Sequence, residues 1–133
     1  MNRSQETLDA LRLYGEGYQR ALTRASEADA SLRAKRCALE TCELEFRYSY
    51  VWQTSMNDKG MVVLTSTNEK AREVEIAFAL SQDTEWAAHT ADVETATEAA
   101  RQAKLAVDVA RIFYQVNLDS VRFFTALLLA SKE

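Results

Sequence analysis

Between Arg101 and Ala130 the chain carries one narrow polar stripe and almost nothing else that is polar. Lys104, Asp108, Arg111, Gln115 and Arg122 recur at helical spacing and draw that stripe along one line. Nearly everything else is apolar: Leu105, Val107, Val109, Ile112, Phe113, Val116, Leu118, Val121, Phe123, Phe124, Leu127, Leu128 and Leu129. A helix on the surface of a folded protein needs an apolar face of only about 100°. This one is apolar around most of its circumference, so one neighbouring helix cannot cover it. It must be buried on at least two sides, which makes the chain an assembly element.

The remainder of the sequence provides helices to pack against it. Proline is absent, and glycine occurs only at Gly15, Gly17 and Gly60. Ala, Leu, Glu and Arg fill long runs, and all four are good helix formers. The expected fold is an all-α antiparallel two-helix hairpin, with long helices over about 6–56 and 67–131, in one domain of 133 residues. Along the first helix Leu11, Tyr18, Ala25, Leu32, Leu39 and Phe46 repeat every seven residues. The partner thread, Leu8, Gly15, Leu22, Asp29, Arg36 and Glu43, is weaker. Gly15 and Gly17 predict a kink or fray, since each costs a helix about 1 kcal/mol relative to Ala.

Asn57-Asp58-Lys59-Gly60 reads as the turn, and Ser66-Thr67-Asn68-Glu69 reads as a capping box that starts the second helix. Ser81, Gln82, Asp83 and Thr84 are able to cap a fresh helix. Without Gly or Pro there, the expectation is an unbroken second helix. A rival reading makes the tip a β-hairpin. Phe46, Tyr48, Tyr50 and Trp52 alternate with period two, and Met61-Val62-Val63-Leu64 would be the matching strand. The helical seam running through Phe46 favours helix.

Charge suggests a register. Seven acids and no Lys or Arg lie between Glu73 and Glu98, whereas Arg20, Arg24, Arg33, Lys35 and Arg36 cluster on the first helix. Folding about residue 61 pairs positions whose numbers add to about 122, setting Arg24 near Glu98 and Arg36 near Glu85. In that register residues from Leu118 onward overhang the hairpin. Burying one large apolar side chain stabilises by about 1.5–3 kcal/mol, so an overhang this apolar calls for a second copy of the chain. The expected interface is Leu105, Val109, Ile112, Phe113, Val116, Phe123, Phe124, Leu127 and Leu128, in a dimer or higher oligomer.

Chemistry is sparse. The net charge of −4 argues against a general nucleic-acid binder. Cys37 and Cys42 are five apart, which matches no zinc or redox motif. His89, the only histidine, shares a helix face with Glu85 and Asp92, a minimal ligand set for a divalent ion. Helix 1 supplies no matching di-iron motif, so a solvated polar face is the preferred reading. Cys37 or Cys42 with His89 as base lacks an oxyanion hole, and no phosphate loop is present. The expectation is no enzyme, no metal and no cofactor. Residues 112–130 are interrupted by Asn117, Asp119 and Arg122, and the N-terminus lacks the apolar stretch of a secretory signal. A cytoplasmic protein with no membrane association is therefore expected.

The tip gathers Arg47, Tyr48, Tyr50, Trp52, Lys59 and Met61, residue types that serve protein partners or stack single-stranded bases. A tip sealed by its own aromatics is an equally good account.

The run LEFRYSYVWQTSMNDKGMVVLTSTNEKAREVEIAFALSQDTEW, with the later VNLDSVRFFTALL, resembles a group of small phage and prophage proteins read as two-helix coiled coils. The matching pieces are Lys59-Gly60, Ser66-Thr67 and Lys70-Ala71-Arg72, over about residues 40–130. The resemblance implies a phage or prophage origin and a non-catalytic accessory role. Two functions follow as expectations. One is an oligomerisation or adaptor protein working through protein–protein contacts. The other is a weak single-stranded nucleic-acid binder in phage recombination or replication.

Overall fold

A computed structural model describes residues 3–55 and 69–132. Among them are three helices and no strand: α1, Arg3–Ser55; α2, Glu69–Ser81; and α3, Thr84–Ser131. The protein is an all-α hairpin in which α1 runs antiparallel to α2 and then α3. By contacts it divides into two compact units, Met1–Ala30 with Glu98–Glu133, and Ser31–Thr97. Phe46, Tyr48, Tyr50 and Trp52 all lie within α1, so their period-two alternation does not make a strand. The turn at 57–60, the Ser66 cap and Met61–Leu64 fall outside the described residues.

The expected unbroken second helix is corrected: it breaks between Ser81 and Thr84. At the end of α2 the backbone tightens into three-residue turns, Gln82 N–H to Ala79 O at 3.1 Å and Asp83 N–H to Leu80 O at 3.0 Å. Asp83 then caps α3. Its Oδ2 accepts the Trp86 backbone N–H at 2.9 Å, and its carbonyl accepts the Ala87 N–H at 3.1 Å. Glu85 in the first turn adds a favourable charge at the helix N-terminus. Good capping chemistry thus ends one helix and opens another with no glycine or proline.

The break resets the register. Before it, Arg47–Glu73 and Tyr50–Glu75 give number sums of 120 and 125, close to the 122 expected. After it, Glu43–Trp86, Lys35–Asp92 and Tyr14–Phe113 give 129, 127 and 127. The slip of about five residues is what the non-helical corner absorbs. Neither Arg24–Glu98 nor Arg36–Glu85 forms. Glu98 instead accepts from Arg101 and Gln102 on its own helix. The overhang from Leu118 is corrected too, because Thr7 and Leu8 lie against Val121, Phe124, Thr125 and Leu128.

The heptad thread of α1 from Leu11 to Phe46 does face inward. Its companion lies three residues on rather than four. Ala21, Ala28 and Cys42 point in, while Leu22, Asp29 and Arg36 are exposed. Nor does α1 break at its glycines. Gly15 sits where a Cβ would meet the Tyr114 ring at 3.3 Å, so its bareness lets the aromatic lie close. Tyr18 stacks on the same ring, centroids 6.0 Å apart.

On α3 the inward line is Trp86, Val93, Ala100, Val107, Tyr114 and Val121, alternating with His89, Ala96, Ala103, Ala110 and Asn117. Much of it is alanine, so it is an easy line to overlook beside the bulkier residues of the same helix.

Candidate functional site

At 3.6 residues per turn, Leu105, Val109, Ile112, Val116, Phe123 and Leu127 fall on one stripe, about 160° around α3 from the inward line. All six are exposed, from 47% at Leu105 to 61% at Phe123. Phe113, Phe124 and Leu128 flank that stripe and are 43–55% exposed. The helix therefore has two apolar faces, a small-residue face used inside the hairpin and a large-residue face left open. The polar stripe, where Arg111 pairs with Asp108 and Arg122 with Asp119, lies between them. All nine residues expected at the interface are on or beside the open face.

The open face extends onto α1. Leu13, Tyr14 and Ala10 line a groove with Ala106, Val109 and Phe113. Tyr14 stacks on Phe113 with centroids 5.8 Å apart. Leu8, Leu13, Tyr14 and Leu22 are exposed as well, and sequence reasoning did not assign them to the site. Their signal was present, since all four are large and apolar yet lie off the inward thread.

The tip residues are placed differently. Arg47 donates to both carboxylate oxygens of Glu73, at 3.0 and 3.2 Å. The Tyr50 hydroxyl donates to Glu75 Oε1 at 2.8 Å, and that bond, with some burial, raises its pKa above the usual tyrosine value. Tyr48 is 73% exposed. The Trp52 side chain, Lys59 and Met61 fall outside the described residues. Two of the groups proposed for nucleic acid thus face carboxylates, which repel phosphate.

Around His89 the candidate trio with Glu85 and Asp92, for which the sequence favours a solvated face, does not come together. Asp92 pairs with Lys35 on α1, at 4.0 Å. Cys42 comes to the site in its place, and its sulfur, a Glu85 carboxylate oxygen and a His89 ring nitrogen lie within 4.8 Å of one another. The 122 register set Cys37 beside residue 85; the slip at the break substitutes Cys42, and Cys37 is exposed. Burial pushes the Cys42 thiol up, and the carboxylates of Glu85, Asp83, Glu45 and Glu43 push the same way. A thiol held protonated is a poor nucleophile.

Among the described residues no helix is long and apolar enough to cross a membrane. The chain matches no protein-family model, no curated protein and no solved structure.

Proposed function

We propose that this chain is a non-catalytic helical oligomerisation and adaptor protein, of the kind the phage resemblance implies, which self-associates through the open face of α3. The observation that carries the reading is the row of large apolar side chains from Leu105 to Leu129, ten of them 43–62% exposed. Side chains of this size stabilise by about 1.5–3 kcal/mol each when fully buried, so a row of ten is a strong drive to association. The area agrees. The chain exposes 10227 Å² at 15.0 kDa, about 3,000 Å² more than the ~7,000 Å² of an ordinary folded monomer of that mass. Counted over both copies of a two-fold pair, about half of that excess would already match an obligate dimer interface of roughly 2,000–5,000 Å². The occupant is a second copy of the chain, because the stripe keeps the three-and-four spacing that lets an identical helix interdigitate with it across a two-fold axis.

Sedimentation equilibrium of the wild-type chain tests the reading. A mass of twice 15.0 kDa or more at micromolar concentration is expected. A monomer throughout the accessible range overturns it. The adaptor role then falls to whatever the dimer leaves exposed, and the acid-paired Arg47 and Tyr50 favour a protein partner there over nucleic acid.

A further inference from the structure

The second half of the hairpin carries a different kind of site. We infer that Cys42, Glu85 and His89 form a binding site for a borderline divalent cation, zinc above all, that ties α1 to the start of α3.

The donor set comes from two helices. Glu85 and His89 are one turn apart on α3 and share a face, the spacing by which helices present two ligands to one metal. Cys42 faces them from α1. One sulfur, one imidazole nitrogen and one carboxylate oxygen make a mixed set that suits zinc, with a fourth position left to water. Their mutual separation of up to 4.8 Å compares with about 3.4–3.8 Å between donors on a tetrahedral zinc. Glu85 is exposed and free to swing inward over that distance.

Independent contacts hold the two helices in this register. The Trp86 Nε1–H, one residue from Glu85, donates to Glu43 Oε1 at 2.9 Å, one residue from Cys42. Asp83 fixes the first turn on which Glu85 stands. Cys42 is 8% exposed and has no disulfide partner, so the sulfur is kept from oxidants and from competing thiols. Glu43, Glu45 and Asp83 nearby add negative charge that attracts a cation, and the bound ion displaces the thiol proton that burial and these same carboxylates favour in its absence. This site is independent of self-association, which uses the part of α3 beyond Leu105.

Titration of Co²⁺ and then Zn²⁺ into the reduced full-length chain tests the inference. One equivalent of Co²⁺ per chain is expected, with a thiolate-to-cobalt charge-transfer band that zinc displaces. The band must vanish in Cys42→Ser and persist in Cys37→Ser, and His89→Gln must weaken binding by at least about tenfold. No band in the wild-type chain overturns the site, as does a band that survives Cys42→Ser or is lost in Cys37→Ser. Should a variant fail to fold, zinc-edge X-ray absorption of the unmodified chain decides. One sulfur at about 2.3 Å supports the site, and nitrogen and oxygen alone sink it.

Discussion

Replacing Phe123 and Leu127 together by Asp separates self-association from folding. In the isolated chain Phe123 is 61% exposed and Leu127 is 50% exposed, so neither contributes much to the hairpin. Asp at two helical positions lowers helix propensity by up to about 0.7 kcal/mol each. Burial of the exposed fractions in a dimer is another matter. At about 1.5–3 kcal/mol per fully buried side chain, Phe123 and Leu127 together supply about 1.7–3.3 kcal/mol per protomer, or about 3–7 kcal/mol per two-fold pair. That corresponds to a Kd weaker by about 10² to 10⁵. Four carboxylates brought to one interface add repulsion and desolvation on top. Sedimentation velocity over a hundredfold concentration range, with far-UV circular dichroism on the same samples, reads both quantities. The expected result is a helical monomer. A variant that associates as tightly as wild type removes the open face as the interface, and one that loses its helices shows that the same residues belong to the fold.

Four further outcomes follow from single contacts. Asp83→Ala removes the side-chain cap of α3 and should cost about 1 kcal/mol in urea unfolding, whereas Asp83→Asn should cost far less; equal effects would dismiss the cap. Gly17→Ala should stabilise by up to about 1 kcal/mol, because the new methyl meets only the flexible end of Arg20, while Gly15→Ala should gain less because it presses on the Tyr114 ring; the reverse order in chemical denaturation contradicts that packing. Arg101, with Gln102, holds the Glu98 pKa down to about 2 from an ordinary 4.5. The folded chain therefore binds that proton less readily, and any stability linked to it is present above the ordinary value and lost as pH falls toward 2. An NMR titration should return Glu98 to the usual carboxylate range in Arg101→Ala, and no change refutes the pairing. Thermal unfolding of an obligate dimer should depend on concentration: a hundredfold increase is worth about 2.7 kcal/mol, and an invariant Tm excludes coupled folding and association.

Much of this architecture is legible in the sequence, and the misses have identifiable causes. The heptad thread from Leu11 to Phe46 and the doubly apolar stretch after Arg101 are hydrophobic-periodicity signals, the strongest a sequence carries. The register before the break, seen in Arg47–Glu73 and Tyr50–Glu75, agrees with folding about residue 61, whereas the charge-block pairs expected beyond it do not form. What the sequence reading missed was the weight of a cap. Asp83, with a carboxylate at the right offset for the Trp86 amide, outweighs the continuity that favourable propensity on both sides implied. From that one corner come the slip of about five residues, the exchange of Cys37 for Cys42 beside His89, and the contact of Leu8 with Val121 and Phe124. Exposed charges did not set the later register, as expected for pairs worth about 0–1 kcal/mol. Arg101 and Arg111 pair within α3 instead.

An open helix face, rather than an overhang, is what the proposed assembly would cover. An overhang disappears with a shift of register, as here; a face does not, because sliding α1 along α3 leaves the same side of α3 uncovered. Residue size fixes which side that is. Alanines at positions 96, 100, 103 and 110 let α1 lie close, and among the described residues the buried apolar ones are Ala21, Leu32, Cys42, Ile76, Leu80 and Ala96, half of them small. Close approach of two helices through small side chains gives good contact but removes little apolar area from water. Ten of the eighteen exposed large apolar side chains among the described residues instead belong to Leu105, Ile112, Phe123 and their neighbours, on the far side of α3. With small residues over much of its inward line and large ones on its open face, α3 leaves much of its hydrophobic driving force uncommitted within the chain, which is what the proposed self-association would draw on.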